Sequence, residues 1–317
     1  MPMTNPEFPG RRPRYSRLIP AIVLLIGVAL TLGAWSLVRR ELRRSEEARF
    51  ARMRDRFVGT VTNQIKMVEQ ALYAGRTLAQ AMDPLPQARW ADFAGEMEQF
   101  SHRKIVGLGF IERVPRADLA VLEARIRADG VPAFNAERLG DNPSAYVVTH
   151  LEPRDVNVAD LGKDIGSGTT RRTAAEEAMR TGQPVLTRRI QIVEGENLLP
   201  GCLLLLPVYR DADLLATPAA RTAALRGWVY ASIRLDLLMM GVMENAGAGI
   251  AVQVFEGVQT TPEAQPFNSA VAEGIADVDW AKLDQDSFIG TVGIPVYGQT
   301  WTVRLRALPS SDRLGSN

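Results

Sequence analysis

One cysteine, two histidines and an aromatic content of 7% leave this 317-residue chain short of several kinds of chemistry. Cys202 stands alone, so no intrachain disulfide is available, and its apolar strand context suits a small buried hydrophobe. His102 and His150 have no second histidine or cysteine at ligand spacing, so no metal site and no cofactor are expected. Neither histidine has a nucleophile paired with it along the chain, and no catalytic residues are expected. Lys and Arg number 37 against 36 Asp and Glu, for a net charge of +1. No basic stripe interleaved with aromatics occurs, which argues against a nucleic-acid partner. Glycine-rich phosphate-loop chemistry is missing too. The turn Leu161-Gly162-Lys163-Asp164-Ile165-Gly166-Ser167-Gly168 has its lysine before the last two glycines rather than after them.

Long hydrophobic runs are scarce, and the single one present is informative. Leu18 to Val38 contains no charge, and at 1.5 Å per residue a helix of that length spans about 30 Å of hydrocarbon. It exceeds a signal-peptide apolar region, so an uncleaved transmembrane anchor is expected. Trp35 and Tyr15 suit the interfacial positions. Arg11, Arg12, Arg14 and Arg17 precede the run, and Arg39, Arg40, Arg43 and Arg44 follow it, so the arginine count alone assigns no orientation.

Beyond the anchor, Phe50, Met53, Phe57, Val61, Ile65, Val68 and Leu72 recur every three or four residues, one face of a long stalk helix ended by Pro84 and Pro86. Two uses are open for that stripe: packing on its own domain, or a dimer seam. A second helix is expected over Ala88–Ser101 and a third from Pro115 to Gly130. Strands are expected over Ile105–Ile111, around Phe134, and over Tyr146–Leu151. A helix over Thr169–Arg180 leads into a hairpin, Val185–Ile192 and Cys202–Tyr209. After an alanine-rich boundary at Arg210–Leu225 come a strand (Gly227–Ile233), a helix (Leu235–Glu244) and three strands (Ile250–Phe255, Ser287–Val296, Thr300–Leu308). The class is α+β: a transmembrane helix continuing into a stalk helix, then two antiparallel-sheet subdomains. Expected boundaries are 1–17 for a cytoplasmic segment, 18–38 for the anchor, 39–87 for the stalk, 88–212 and 213–308 for the subdomains, and 309–317 for a polar tail.

Several of these residues resemble the CHASE family, the extracytoplasmic sensor domain of plant cytokinin receptors and of many bacterial sensor kinases and cyclases. They are Gly107-Leu108-Gly109-Phe110, Leu161-Gly162-Lys163-Asp164, Arg171-Arg172, Ala178, Thr181-Gly182 and Leu206-Pro207-Val208-Tyr209. The resemblance implies two stacked PAS-like sheets behind the stalk, with ligand in the membrane-distal one. It also implies a single-pass protein of the bacterial inner membrane with its sensor domain periplasmic or extracellular, and a homodimer formed through the stalk. At the position of Asp164 the plant receptors use an aspartate to bind the adenine ring, and the stretch matching Val185-Leu186 lines that pocket. Ligand contacts are therefore expected at Asp164, Leu186 and Val185, with Phe110 and Tyr146 as stacking aromatics and Arg188 as a basic contact. Arg188-Arg189 in the pocket strand makes an anionic small molecule as good a fit as an adenine-like one. The competing task for Asp164 is to cap the turn before the helix at Thr169. No kinase or cyclase segment fits after residue 308, so the expected role is the input part of a sensor and not an enzyme. The rival expectation is a membrane-tethered dimeric scaffold without ligand.

Overall fold

The computed structural model describes residues 18–101, 105–194, 197–210, 215–246, 250–261, 264–269 and 289–307. His102, the N-terminal segment 1–17 and the tail 309–317 lie outside the described residues. Compactness divides the chain into two units, Met1–Arg52 and Met53–Asn317.

Helix α1 runs Leu18–Ala81, and proline at 84 and 86 allows it no further turn. Val23, Leu24 and Leu25 are 64–70% exposed, an apolar surface facing outward. Among the described residues no helix is long and apolar enough to cross a membrane. The uncharged stretch Ile22–Val38 within α1 covers about 26 Å.

Further along α1, Phe57, Val61, Ile65, Val68 and Leu72 are all at most 3% exposed within the single chain. The stripe is therefore covered by its own fold, and the dimer seam considered for that face is not free to form there. Gly75 marks the tightest approach. A Cβ there would lie 3.0 Å from Val229 Cγ1 and 3.3 Å from the Trp90 ring.

Helix α2 (Gln87–Ser101) is pinned by Trp90 Nε1, which donates to Leu108 O at 3.2 Å, and by Gln87 Nε2, which donates to Thr149 O at 2.9 Å. Strand β1 (Ile105–Pro115) passes through a short 3-10 turn into α3 (Leu119–Ala128). The strand expected near Phe134 does not form. Phe134 is instead a core plug, 2% exposed, and its carbonyl accepts from Arg127 Nε at 2.8 Å. Strand β2 (Ser144–Glu152), a short helix α4 (Arg154–Asn157) and the glycine turn lead to α5 (Thr169–Thr181), which Gly182 closes. The next expected strand is split into β3 (Val185–Leu186) and β4 (Ile190–Glu194), both pairing with β5 (Asn197–Tyr209). Thr187 causes the break. Its Oγ1 accepts from Leu203 N at 3.0 Å, replacing a ladder bond and letting Arg188 and Arg189 bulge outward.

Helix α6 (Pro218–Ala224) then delivers β6 (Leu225–Arg234) between β1 and β5, giving the order β2-β1-β6-β5-β3. The sequence reading put this strand in the second subdomain; it is the middle of the first sheet. Its register with β5, Leu205 opposite Tyr230 and Cys202 opposite Ile233, pairs two apolar runs buried on both faces. Helix α7 (Leu235–Ala246) leads to a smaller antiparallel sheet, β8-β7-β10-β9, from β7 (Ile250–Glu256), β8 (Phe267–Asn268), β9 (Ile289–Val296) and β10 (Gln299–Ala307). Its hairpin end is tied to the first sheet and to the stalk. Leu186 N donates to Tyr297 O at 2.9 Å, and Tyr297 OH donates to Glu69 Oε2 at 2.6 Å.

Arg226 closes the stalk helix. From β6 it donates to Ala79 O and, at 2.8 Å, to Met82 O, carbonyls that α1 leaves without helical partners, and it pairs with Asp83 at 3.2 Å. Its guanidinium lies 5.3 Å from the Phe110 ring centre. Burial lowers its pKa, while Asp83 opposes the shift. Replacing it, Arg226→Met, should cost about 2–4 kcal/mol by leaving buried carbonyls and Asp83 without their donor, read as a lower urea midpoint for the full chain in detergent. An unchanged midpoint would mean the cap contributes nothing.

His150 is buried at the same junction, its Nε2 3.0 Å from Leu85 O and its Nδ1 3.0 Å from Thr149 Oγ1. Desolvation pushes its pKa down to about 3. The unfolded chain, with an ordinary imidazole near 6.5, takes up a proton that the folded chain refuses. Stability should thus be lost as pH falls from about 6.5 toward 3, by up to about 1.4 kcal/mol per unit from this group. Comparing the slope of unfolding free energy against pH for wild type and His150→Gln isolates it: the variant should lack one proton's worth of slope.

Candidate functional site

The glycine turn is built around one carboxylate. Gly162 adopts φ 86°, and any side chain there would strike the Asn135 carbonyl, so only glycine fits. Its N–H donates to Val148 O at 2.8 Å, and Val148 N donates to Lys163 O at 3.0 Å, which lays the turn along β2. Asp164 follows with its side chain fully buried. Oδ1 accepts from Tyr146 N at 2.8 Å and from Gly166 N at 2.9 Å, and Oδ2 accepts from Arg116 Nη2 at 2.7 Å. Asp164 N in turn donates to Glu137 Oε2 at 3.0 Å. Three donors, one of them the counter-ion Arg116, leave this carboxylate little capacity for a ligand. It is a cap and a strut.

The other expected contacts scatter over both faces of the sheet. Tyr146 and Val185 belong to the core under α5. The Tyr146 ring lies 4.7 Å from that of Trp228, its hydroxyl is 3.5 Å from Glu176 Oε1, and burial raises its pKa. Leu186, the next residue on the strand, alternates away from Val185, and its backbone is engaged by Tyr297 and, through its carbonyl at 3.3 Å, by Gln299 Nε2. Phe110 is fully buried on the stalk side, beside His150 and Arg226. Arg188 is exposed on the bulge. Of the six, Asp164 alone borders the cleft described next.

That cleft, of about 220 Å³, opens where the glycine turn, the start of α5 and β4 meet the face of β5 and β6. Val148, Ile165, Ile190, Ile192 and Leu203 give it an apolar floor, and Tyr230, Ser232 and Ser167 bring hydroxyls. Glu137, Asp160, Lys163 and Arg171 add charge at its walls. Lys163 Nζ is paired with Asp160 Oδ1, and Arg171 Nη2 donates to Gln191 O at 3.2 Å. The Tyr230 ring occupies space that only glycine at 109 leaves, since a Cβ there would come 2.5 Å from the ring. Burial raises the Tyr230 pKa; Asp160 adds to the shift and Arg171 opposes it, so both charges act on the phenol.

A second cavity of about 120 Å³ lies between α2 and the β1–β2 edge, lined mainly by Ala91, Ala94, Met97, Ile105 and Leu108. Its one charged group, Glu152, is already bound to Arg154 at 3.0 Å. The larger cleft has the chemistry to hold a polar ligand. Among the described residues no three His, Cys, Asp or Glu side chains gather as a metal site. Cys202 is buried, and desolvation drives its thiol pKa far upward, away from reactivity.

Sequence reasoning missed Arg116, Asp160, Tyr230 and Ser232. Tyr230 and Ser232 share a face of β6 by the period of two, a signal that was available once the strand was placed. Arg116 reaches Asp164 across 48 positions, and nothing local announces it.

The family description of a CHASE domain matches residues 84–267, more than half of the chain. The chain belongs to the CHASE-domain family. Membership supports a sensor role, with the CHASE domain as a non-catalytic input module. No curated protein sequence matches the chain. Among solved structures it is similar to an extracellular ligand binding receptor from Desulfohalobium retbaense, at 14% identity over 80% of this chain and 39% of that one, with a TM-score of 0.44. It is also similar to the periplasmic sensory domain of the Campylobacter jejuni chemoreceptor Tlp1, at 9% identity over 84% and 94% of the two chains, TM-score 0.45. The Vibrio cholerae LuxQ periplasmic domain gives 9% identity over 82% and 99%, TM-score 0.45. The chain thus spans 39% of the length of the Desulfohalobium receptor. At these scores the likenesses carry no functional argument.

Removing the strut should be felt without any ligand. Asp164→Ala leaves Arg116 without its counter-ion, though still bonded to Asn142 O at 2.6 Å, and two backbone N–H groups without an acceptor, and should cost about 3–5 kcal/mol in ligand-free protein, measured by chemical denaturation. Arg116→Ala should cost less than the sum suggests when combined with it, because the two act as one unit. A neutral Asp164→Ala would return the residue to a ligand-only role.

Proposed function

We propose that this chain is the anchored input part of an extracytoplasmic sensor of the CHASE type, binding a small molecule in the cleft beneath the start of α5. The observation that carries the reading is the cleft itself: an apolar floor, buried hydroxyls and charges of both signs on a CHASE-family sheet. Leu18–Val38 serves as the membrane anchor in this reading, supported by 21 residues without a charge and by the outward apolar face of its described part. The first sheet is the membrane-distal, PAS-like ligand subdomain and the second the membrane-proximal one, with the sensor outside the bacterial inner membrane. A sensor kinase or cyclase is the expected destination of the signal. Dimerisation, in this reading, uses the outer face of the stalk around Met67, which is 41% exposed, and not the Phe57 stripe.

Binding should favour one of two arrangements of sheet on stalk. Adenine and small carboxylate metabolites, each titrated onto the full chain in detergent micelles, should include at least one that raises the melting temperature. Ile190→Trp, which fills the cleft mouth from edge strand β4, should remove that shift while leaving the ligand-free melting temperature within a few degrees. A shift that survives Ile190→Trp would place the ligand elsewhere, and a chain that responds to no ligand would favour the scaffold reading.

A further inference from the structure

We infer that the α5-side cleft is built for a compact zwitterion, a small molecule carrying both a carboxylate and an ammonium group. The inference rests on reading the cleft as the ligand site and deepens it to a chemical class.

The charges at the walls decide the class. Asp164 does not count among them, since Arg116 neutralises it inside the fold. That leaves Lys163 and Arg171 against Asp160 and Glu137, two of each sign, within one cleft of about 220 Å³. A neutral ring filling the space would strip water from all four and give nothing back, which is costly for ionised groups. A simple anion would satisfy the cations and repel the acids. Only a ligand of both signs matches the wall as a whole.

Arg171 stands on a different element from the two acids, while Lys163 shares the turn of Asp160. Arg171 lies in the first turn of α5, and Ser167 borders the cleft just before it. Gly168 between them supplies no side-chain acceptor to the helix start, so its N–H groups reinforce Arg171 on the side where a carboxylate would lie. Asp160 belongs to the preceding turn, and Glu137 is held against that same turn by Asp164 N. An ammonium group belongs on that side. The Tyr230 phenol lines the same cleft and feels both Asp160 and Arg171, a neutral donor and acceptor for either end of the ligand.

Lys163 and Asp160 bind each other in the structure and are 44% and 28% exposed. A pair so open to water is weakly held. A zwitterion can divide it, taking Lys163 with its carboxylate and Asp160 with its ammonium, and so exchange one ion pair for two in a drier site.

The test uses the full chain in detergent micelles and the standard L-α-amino acids, offered singly at about 1 mM, a concentration that reveals weak sites. Thermal shift finds the best binder and calorimetry measures it, next to its decarboxylated amine, its des-amino acid, adenine and succinate. At least one amino acid should bind, and each half-molecule should bind about tenfold more weakly or worse. Arg171→Gln and Asp160→Asn should each weaken the amino acid by about tenfold or more without changing the ligand-free melting temperature by more than a few degrees. Binding of adenine or succinate that Ile190→Trp abolishes, with every amino acid silent, would overturn the zwitterion class and leave the cleft as the ligand site. Amino-acid binding indifferent to both substitutions would overturn it too. If no probe of any class binds, both readings fall.

Discussion

The bond between Asp164 and Arg116 is the constraint from which the cleft follows. It fastens the glycine turn to β2 and to the start of α3 at once, because the same carboxylate also takes Tyr146 N and Gly166 N. With the turn so fixed, Asp160 and Lys163 stand at the cleft, beside Arg171 in the first turn of α5. An ion pair with its carboxylate fully buried adds little net stability, yet its loss is expensive, so it specifies one arrangement of the chain. The turn is rigid where it meets the sheet and open where it meets solvent.

The helix above the cleft is secured by a different means. Ala174, Ala175 and Ala178 let α5 approach the sheet closely, and Trp228 Nε1 and Tyr209 OH donate to its carbonyls at 2.9 Å and 2.7 Å. Small side chains give the contact and large aromatics from the strands give the hydrogen bonds. The roof is thereby held from below, leaving its first turn available to the cleft.

Much of this was legible from periodicity and turn chemistry. The long stalk, its proline stop, the helix from Thr169 and its closing glycine could be read because each rests on neighbours in sequence. The place of β6 could not, since an apolar run buried on both faces carries no sign of which strands flank it. That ambiguity also misled the site. Phe110 and Leu186 looked like pocket residues, but nothing local says which face of a doubly covered sheet they enter. Asp164 borders the cleft, but its carboxylate is taken up by Arg116, a partner far off in the chain that nothing local announces. Val185 and Tyr146 came nearer, in the core beneath the same helix, yet without bordering the cleft.

Strand β6 holds Tyr230 and Ser232 at the cleft and, four residues earlier than Tyr230, Arg226 on the last carbonyls of the stalk helix. One strand thus touches both the cleft and the helix end. In the proposed reading, with Leu18–Val38 as the membrane anchor, thermodynamic linkage would make that connection work in both directions. A ligand that shifts β6 would alter the pull on the helix end, and a tilt imposed on the helix would alter ligand affinity by the same factor. Lipid thickness and membrane tension would then act as silent co-ligands of the sensor, changing how much signal a given concentration produces.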